Sequence, residues 1–183
     1  MTDRPIIFSG PMVRALLHGR KTQTRRMEDS PLRKCVPGDR LWVRESWKVH
    51  SIYNHLPPRD VPRSKVFYLA DDGYAPRGSC GRPSIFLPRW ASRMTLVVTD
   101  VRFQVLQDIA GSDAIAEGIA RTEDSWWSGA PGQASPSAVG AFALLWNGLH
   151  GEQSWDDNPK IVALTFTVHQ LNIDEMPKRE AVV

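Results

Sequence analysis

At 183 residues and 20.6 kDa, with 42% hydrophobic and 23% charged residues, the chain matches a single globular domain large enough to bury a core. Its 14 Pro and 13 Gly argue against a helix bundle, and no stretch approaches the roughly 18 to 20 apolar residues of a membrane span. The formal net charge of +3 hides an asymmetry: 11 Lys/Arg against 5 Asp/Glu in residues 1–48, 7 against 3 in 49–99, and 5 against 12 in 100–183.

A basic first half and an acidic second half either present a positive face to an anionic ligand such as RNA or interleave and neutralise each other. The opening MTDRPIIFSG has no basic segment followed by a long apolar run, so a cytoplasmic location is expected. Cys35 and Cys80 are too few for a disulfide framework. His18, His50, His55, His150 and His169 are scattered without ligand spacing, so neither a metal nor another cofactor is expected.

In chain order, Pro5 to Phe8 reads as a short strand, and Ser9 or Gly10 caps a helix with Pro11 at its first position. Val13, Leu16 and Leu17 form its buried stripe, and Gly19 stops it after His18. Thr22 to Met27 is rich in strand formers and leads through a polar stretch to the turn Pro37-Gly38-Asp39. The strand Arg40 to Trp47 should follow, with Leu41, Val43, Glu45 and Trp47 on one face. Residues 48–64 lack periodicity, Lys65 to Ala70 is a strand closed by a turn at Asp71-Asp72-Gly73, and a second irregular stretch runs to Arg89. Met94 to Leu106 is the long strand, bent near Asp100, and Ser112 caps a short helix that Gly118 ends early. Residues 121–136, with Trp126 and Trp127, read as a loop able to act as a lid. A helix from Ser137 to Leu149 and a strand from Ile161 to Leu171 complete one α+β domain over 1–183, with irregular insertions near 48–89 and 121–136 and a polar tail.

The run Leu17-His-Gly-Arg-Lys-Thr-Gln-Thr-Arg-Arg26, between a capped helix and the Gly38-Asp39 turn, resembles the signature of the ASCH domain family of the PUA-like superfamily. Gly19, Lys21 and Arg26 match its GxKxxxxR-like stretch, and phage and prophage ASCH proteins look closest overall. The resemblance implies a small mixed, mostly antiparallel β-barrel with helices packed at its ends, and a cleft beside the first helix. It implies a modified nucleoside, such as an acylated cytidine, or RNA as the partner, and no obligate protein partner. Bacterial members that remove the acetyl group from N4-acetylcytidine use a Lys, a Thr and a Glu. Those roles carry over to Lys21 and Thr24 and, through the similarity of DAIAEG to the family's acidic helix, to Glu117.

Chemistry supports the same residues. Amide hydrolysis needs a nucleophile, a base and oxyanion donors. Thr24 supplies a hydroxyl, Thr22 is its rival, and Lys21 becomes a base if burial or the neighbouring Arg25 and Arg26 lower its pKa. Glu117 can orient the amine, bind the substrate or activate water. Because strand side chains alternate, Lys21 should lie in the turn before the strand that carries Thr24. Arg25 and Arg26 suit a phosphate or base carbonyl, and Glu45 on its apolar face is either a salt-bridged acid or a pocket acid. The competing expectations are an RNA-binding PUA-like module without catalysis and a metal-independent ribonuclease.

Overall fold

The computed structural model describes residues 1–71, 73, 75–128 and 134–177. Strand β1 (Asp3–Ile7) leads to Ser9, whose extended backbone caps helix α1 (Gly10–Leu17), with Pro11 in its first turn. α1 buries Met12, Val13, Ala15 and Leu16, and Gly19 at φ +69° turns the chain out of the helix and toward β2 (Gln23–Met27). Gly38 at φ +93° makes the turn into β3 (Arg40–Arg44).

The strand expected to continue to Trp47 breaks after Arg44, and the shared face of Leu41, Val43, Glu45 and Trp47 breaks with it. Leu41 and Val43 belong to the main core, whereas Trp47 packs with Val49, Val61, Leu87 and Ala91 in a separate cluster. At the break, Glu45 turns to Arg93. Trp47 and Lys48 form β4 (Trp47–Lys48), which pairs with β5 (Phe67–Tyr68) in its own ladder. The turn residue Asp72 lies outside the described residues.

The long strand β6 (Thr95–Val105) pairs antiparallel with β10 (Lys160–His169). Thr165 faces Asp100 and Phe166 faces Val98, so Thr99 is the extra residue of a bulge, one position before the expected bend. Helix α2 (Gly111–Ala116) starts after Ala110 rather than at Ser112, without a side-chain cap. Residues 121–136 are not a plain loop: β7 (Ala120–Arg121), β8 (Trp126–Trp127) and β9 (Ala134–Ser135) form a small antiparallel meander, with 129–133 outside the described residues. Helix α3 (Ala138–His150) is capped by Ser137, whose side chain accepts from the Gly140 N–H at 3.0 Å. The polar tail beyond 177 also lies outside the described residues.

The architecture is α+β. Its main sheet is mixed, in the order β1-β3-β6-β10-β2, with only β1 and β3 parallel. The sheet is open: among the described residues no ladder joins its two edge strands, β1 and β2. Two apolar clusters meet on it, one under α1 and one holding α2 and α3. No helix among the described residues is long and apolar enough to cross a membrane.

Candidate functional site between the sheet edges

A cavity of about 450 Å³ lies where the two edges of the sheet approach. Ile7 and Phe8 at the end of β1 line one side, and Lys21, Arg25 and Arg26 line the other. Glu117, just past α2, and the stripe Phe142, Leu145, Trp146 and Leu149 of α3 complete the wall. The edges are tied by a side chain: Arg26 Nη2 donates to the Ile7 carbonyl at 3.1 Å.

Lys21 lies in the turn before β2, where it was expected, although Thr24, the strand residue that expectation set beside it, does not line the cavity. Its backbone N–H donates to the Ala15 carbonyl at 3.1 Å, which anchors the turn on α1. From there the amine reaches Glu117, donating to its carbonyl oxygen and to Oε2, both at 2.7 Å. Both side chains are buried, at 2% and 5% exposure. Burial pushes the Lys21 ammonium below the ordinary lysine value, and the opposing attraction of Glu117 does not restore it. The Phe8 ring centroid stands 5.4 Å from Nζ.

Glu117 is held at its other oxygen too, where Arg25 Nη1 donates to Oε1 at 3.1 Å. Arg25 Nη2 donates to Asp113 Oδ2 at 2.8 Å, one helical turn before Glu117. Lys21 and Arg25 are likewise four apart, so two cations meet two anions in register. At Asp113 burial opposes ionisation, but the charges of Arg25 and Arg102 outweigh it and hold the carboxyl below its usual range. Arg25 Nε is buried with no hydrogen-bond partner among the described residues.

Gly118 sets the approach of Glu117 to Lys21. Its φ is +100°, and a Cβ there would stand 3.1 Å from Ala15 Cβ and 3.4 Å from Lys21 Cβ.

Thr24 is fully buried on β2 opposite Leu164, and it is not part of the cavity wall. Its Oγ1 accepts from Arg26 Nη1 at 2.6 Å. Thr22 precedes the strand and is exposed, with its backbone bonded to Ala116 and Phe166. Glu45 is away from the cavity, in a bidentate pair with Arg93 at 2.8 and 2.9 Å. Burial raises its pKa, and Arg93 offsets only part of that shift. Trp126 and Trp127 do not line the cavity; Trp126 packs beside α3.

The structure thus brings Lys21, Glu117, Arg25 and Arg26 together and leaves Thr24 behind Arg26. It adds Asp113, Phe8 and His150 to the site's surroundings. The Asp113/Glu117 spacing was a visible signal for the first; Phe8 sits in a tight strand-to-helix link and carries no pattern. His150 ends α3 at the cavity mouth, stacked on Trp146 with ring centroids 4.2 Å apart. Burial, then the Arg26 charge, lowers its pKa. Among the described residues, no group of three His, Cys, Asp or Glu side chains is placed to hold a metal. Three comparisons with known proteins end without a relative: no protein-family model, curated protein or solved structure matches this chain.

Proposed function

We propose that the chain is a metal-independent amidohydrolase of the PUA-like type that removes the acyl group from N4-acylated cytosine nucleosides in this cavity. One observation carries the reading: the two hydrogen bonds from Lys21 to Glu117 in a buried wall. A neutral amine has two hydrogens and one lone pair, whereas an ammonium has three donors. The neutral form satisfies both hydrogens on Glu117 and keeps its lone pair for a proton, which is what a general base requires.

The remaining groups fit the reaction. The Thr24 hydroxyl, whose oxygen accepts from Arg26, retains its own hydrogen to give up to a base. Attack on the acyl carbonyl forms the tetrahedral oxyanion, which Arg26 and the unpartnered Nε of Arg25 are available to stabilise. Lys21 returns the proton to the departing cytosine amine, and water then releases the acid from Thr24. Because Thr24 lies behind Arg26, the substrate must draw Arg26 away from it; a water deprotonated by Lys21 is the rival nucleophile. The cavity's volume falls within the roughly 300–1,000 Å³ of small-molecule sites, and the aromatic side chains Phe8, Phe142 and Trp146 suit a planar base.

The test is cytidine release from N4-acetylcytidine by purified protein in EDTA. Wild type should turn over, Lys21→Ala should be slower by at least about a hundredfold, and Thr24→Ala equally so if its hydroxyl attacks. An active Thr24→Ala protein assigns attack to water. A wild type inactive on acylated cytidines that binds structured RNA returns the non-catalytic module, and cleavage of that RNA in EDTA returns the ribonuclease.

A further inference from the structure

The buried pair of Lys21 and Glu117 is the inner end of a row of alternating charges that reaches solvent at Asp100. Lys21 holds Glu117 at 2.7 Å, Arg25 stands between Glu117 at 3.1 Å and Asp113 at 2.8 Å, and Arg102 stands between Asp113 at 3.4 Å and Asp100 at 3.5 Å. Side-chain exposure falls inward, from 55% at Asp100 and 41% at Arg102 to 15% at Asp113 and 5% or less at Arg25, Glu117 and Lys21.

The register of the sheet builds this row. Arg25 of β2, Ala163 of β10 and Arg102 of β6 lie abreast, and alternation sets Gln23 beside Arg25 and Asp100 beside Arg102 on the same face. The short side chain of Ala163 leaves room for the guanidinium groups on either side of it to reach one carboxylate, that of Asp113. Gln23 Oε1 accepts from both, at 3.3 Å from Arg25 and 3.4 Å from Arg102. Without Asp113, the buried Arg25 would have Glu117 as its one carboxylate partner among the described residues and would face the Lys21 amine with its charge less offset. The remaining charge acting on Lys21 is Arg26, whose own charge acts on His150.

We propose that Asp113 is a positioning residue of this site: acting through Arg25, it holds Glu117 and sets the charge under which the Lys21 amine gains and loses its proton, with Arg102 tuning it from the surface. This rests on the reading of Lys21 as the base of the reaction. A row that served only to pin α2 to the sheet would respond differently. Loosening it at either member would admit water to the buried amine, so the Lys21 pKa would rise toward 10.5 in both variants. Through charge, the signs oppose: Asp113→Asn removes an anion and favours the neutral amine, whereas Arg102→Gln removes a cation and favours the ammonium.

The test is an NMR titration of the Lys21 side chain in lysine-labelled wild type, Asp113→Asn, Asp113→Glu and Arg102→Gln. The sequence has six lysines, and the Lys21 signal is assigned by its loss in Lys21→Met or Lys21→Arg. Asp113→Asn should lower the midpoint by at least about half a pH unit, and Arg102→Gln, nearer solvent, should raise it by roughly 0.3 unit. Asp113→Glu should restore the wild-type value. The rising limb of kcat/KM on N4-acetylcytidine should move in step with each midpoint. A rise or no change in Asp113→Asn, or a fall in Asp113→Glu equal to that in Asp113→Asn, overturns the proposal. Opposed shifts of the amine in a protein inactive on N4-acetylcytidine overturn the hydrolase reading instead and leave the row of charges standing.

Discussion

Lys21 is buried beside one carboxylate and two guanidinium groups, and its protonation is coupled to folding. The ordinary value of 10.5 applies to the unfolded chain, and burial sets the folded value lower. Between the two values the unfolded chain binds more protons than the native state. Stability linked to this group is therefore lowest below the folded value, rises with pH through the window, and levels off above 10.5. Urea midpoints across alkaline pH should show this rise in wild type and lack it in Lys21→Met. The rising limb of kcat/KM should likewise fall below 10.5 and vanish with the amine. Lys21→Met also leaves Glu117 Oε2 and its carbonyl without their donor while Arg25 still holds Oε1, which should cost about 1–3 kcal/mol, and adding Glu117→Gln should recover part of the loss. A double variant as unstable as the sum of the singles would show that the pair does not interact.

At the scale of elements, Gly118 joins the end of α2 to the cavity wall, and Gly19 ends α1 with nothing within 4 Å of its absent Cβ. Both have positive φ, so alanine at either should strain the backbone by roughly 1–3 kcal/mol. Only Gly118→Ala also crowds Lys21, so it alone should depress turnover at matched stability; equal turnover losses in both variants would contradict this role. The same elements show what could be read beforehand. α1, α3, β6 and β10 were legible because each repeats its period for two turns or more, or ten residues, and carries a cap or turn at its ends. The start of α2 was misread because Ser112 has the cap residue type, while the chain begins its helix at Gly111 behind Ala110. The meander of β7, β8 and β9 was illegible, since two-residue strands hold no period at all. Lys21 could be assigned to the turn only by pairing it with Thr24, which the cavity wall leaves out. That Arg26 would share a face with Thr24 was open to the same alternation, whereas its bond to Ile7 was not, because it depends on β2 meeting the end of β1 across the whole sheet.

Across the whole molecule the basic first half and acidic second half interleave. Lys21 and Arg25 pair with Glu117 and Asp113, and Arg89 pairs with Asp3 and Asp174. Six of the eighteen Lys/Arg of residues 1–99 hold an ion pair among the described residues, so part of the positive charge that the sequence sets apart is neutralised internally. Oligonucleotide affinity, measured from 50 to 200 mM salt, should fall only about tenfold, as for two phosphate contacts, whereas a loss of about a thousandfold would reveal an extended basic surface. The open sheet has a further consequence. In a closed barrel the girth of an internal site is fixed by backbone ladders, and changing it means changing strand number or stagger. Here the gap between β1 and β2 is spanned by the Arg26 guanidinium, so the girth of the site is a side-chain property. Substitution at one codon can widen or narrow what enters without unpicking a strand, which makes selectivity a trait that point mutation reaches while the scaffold is inherited unchanged.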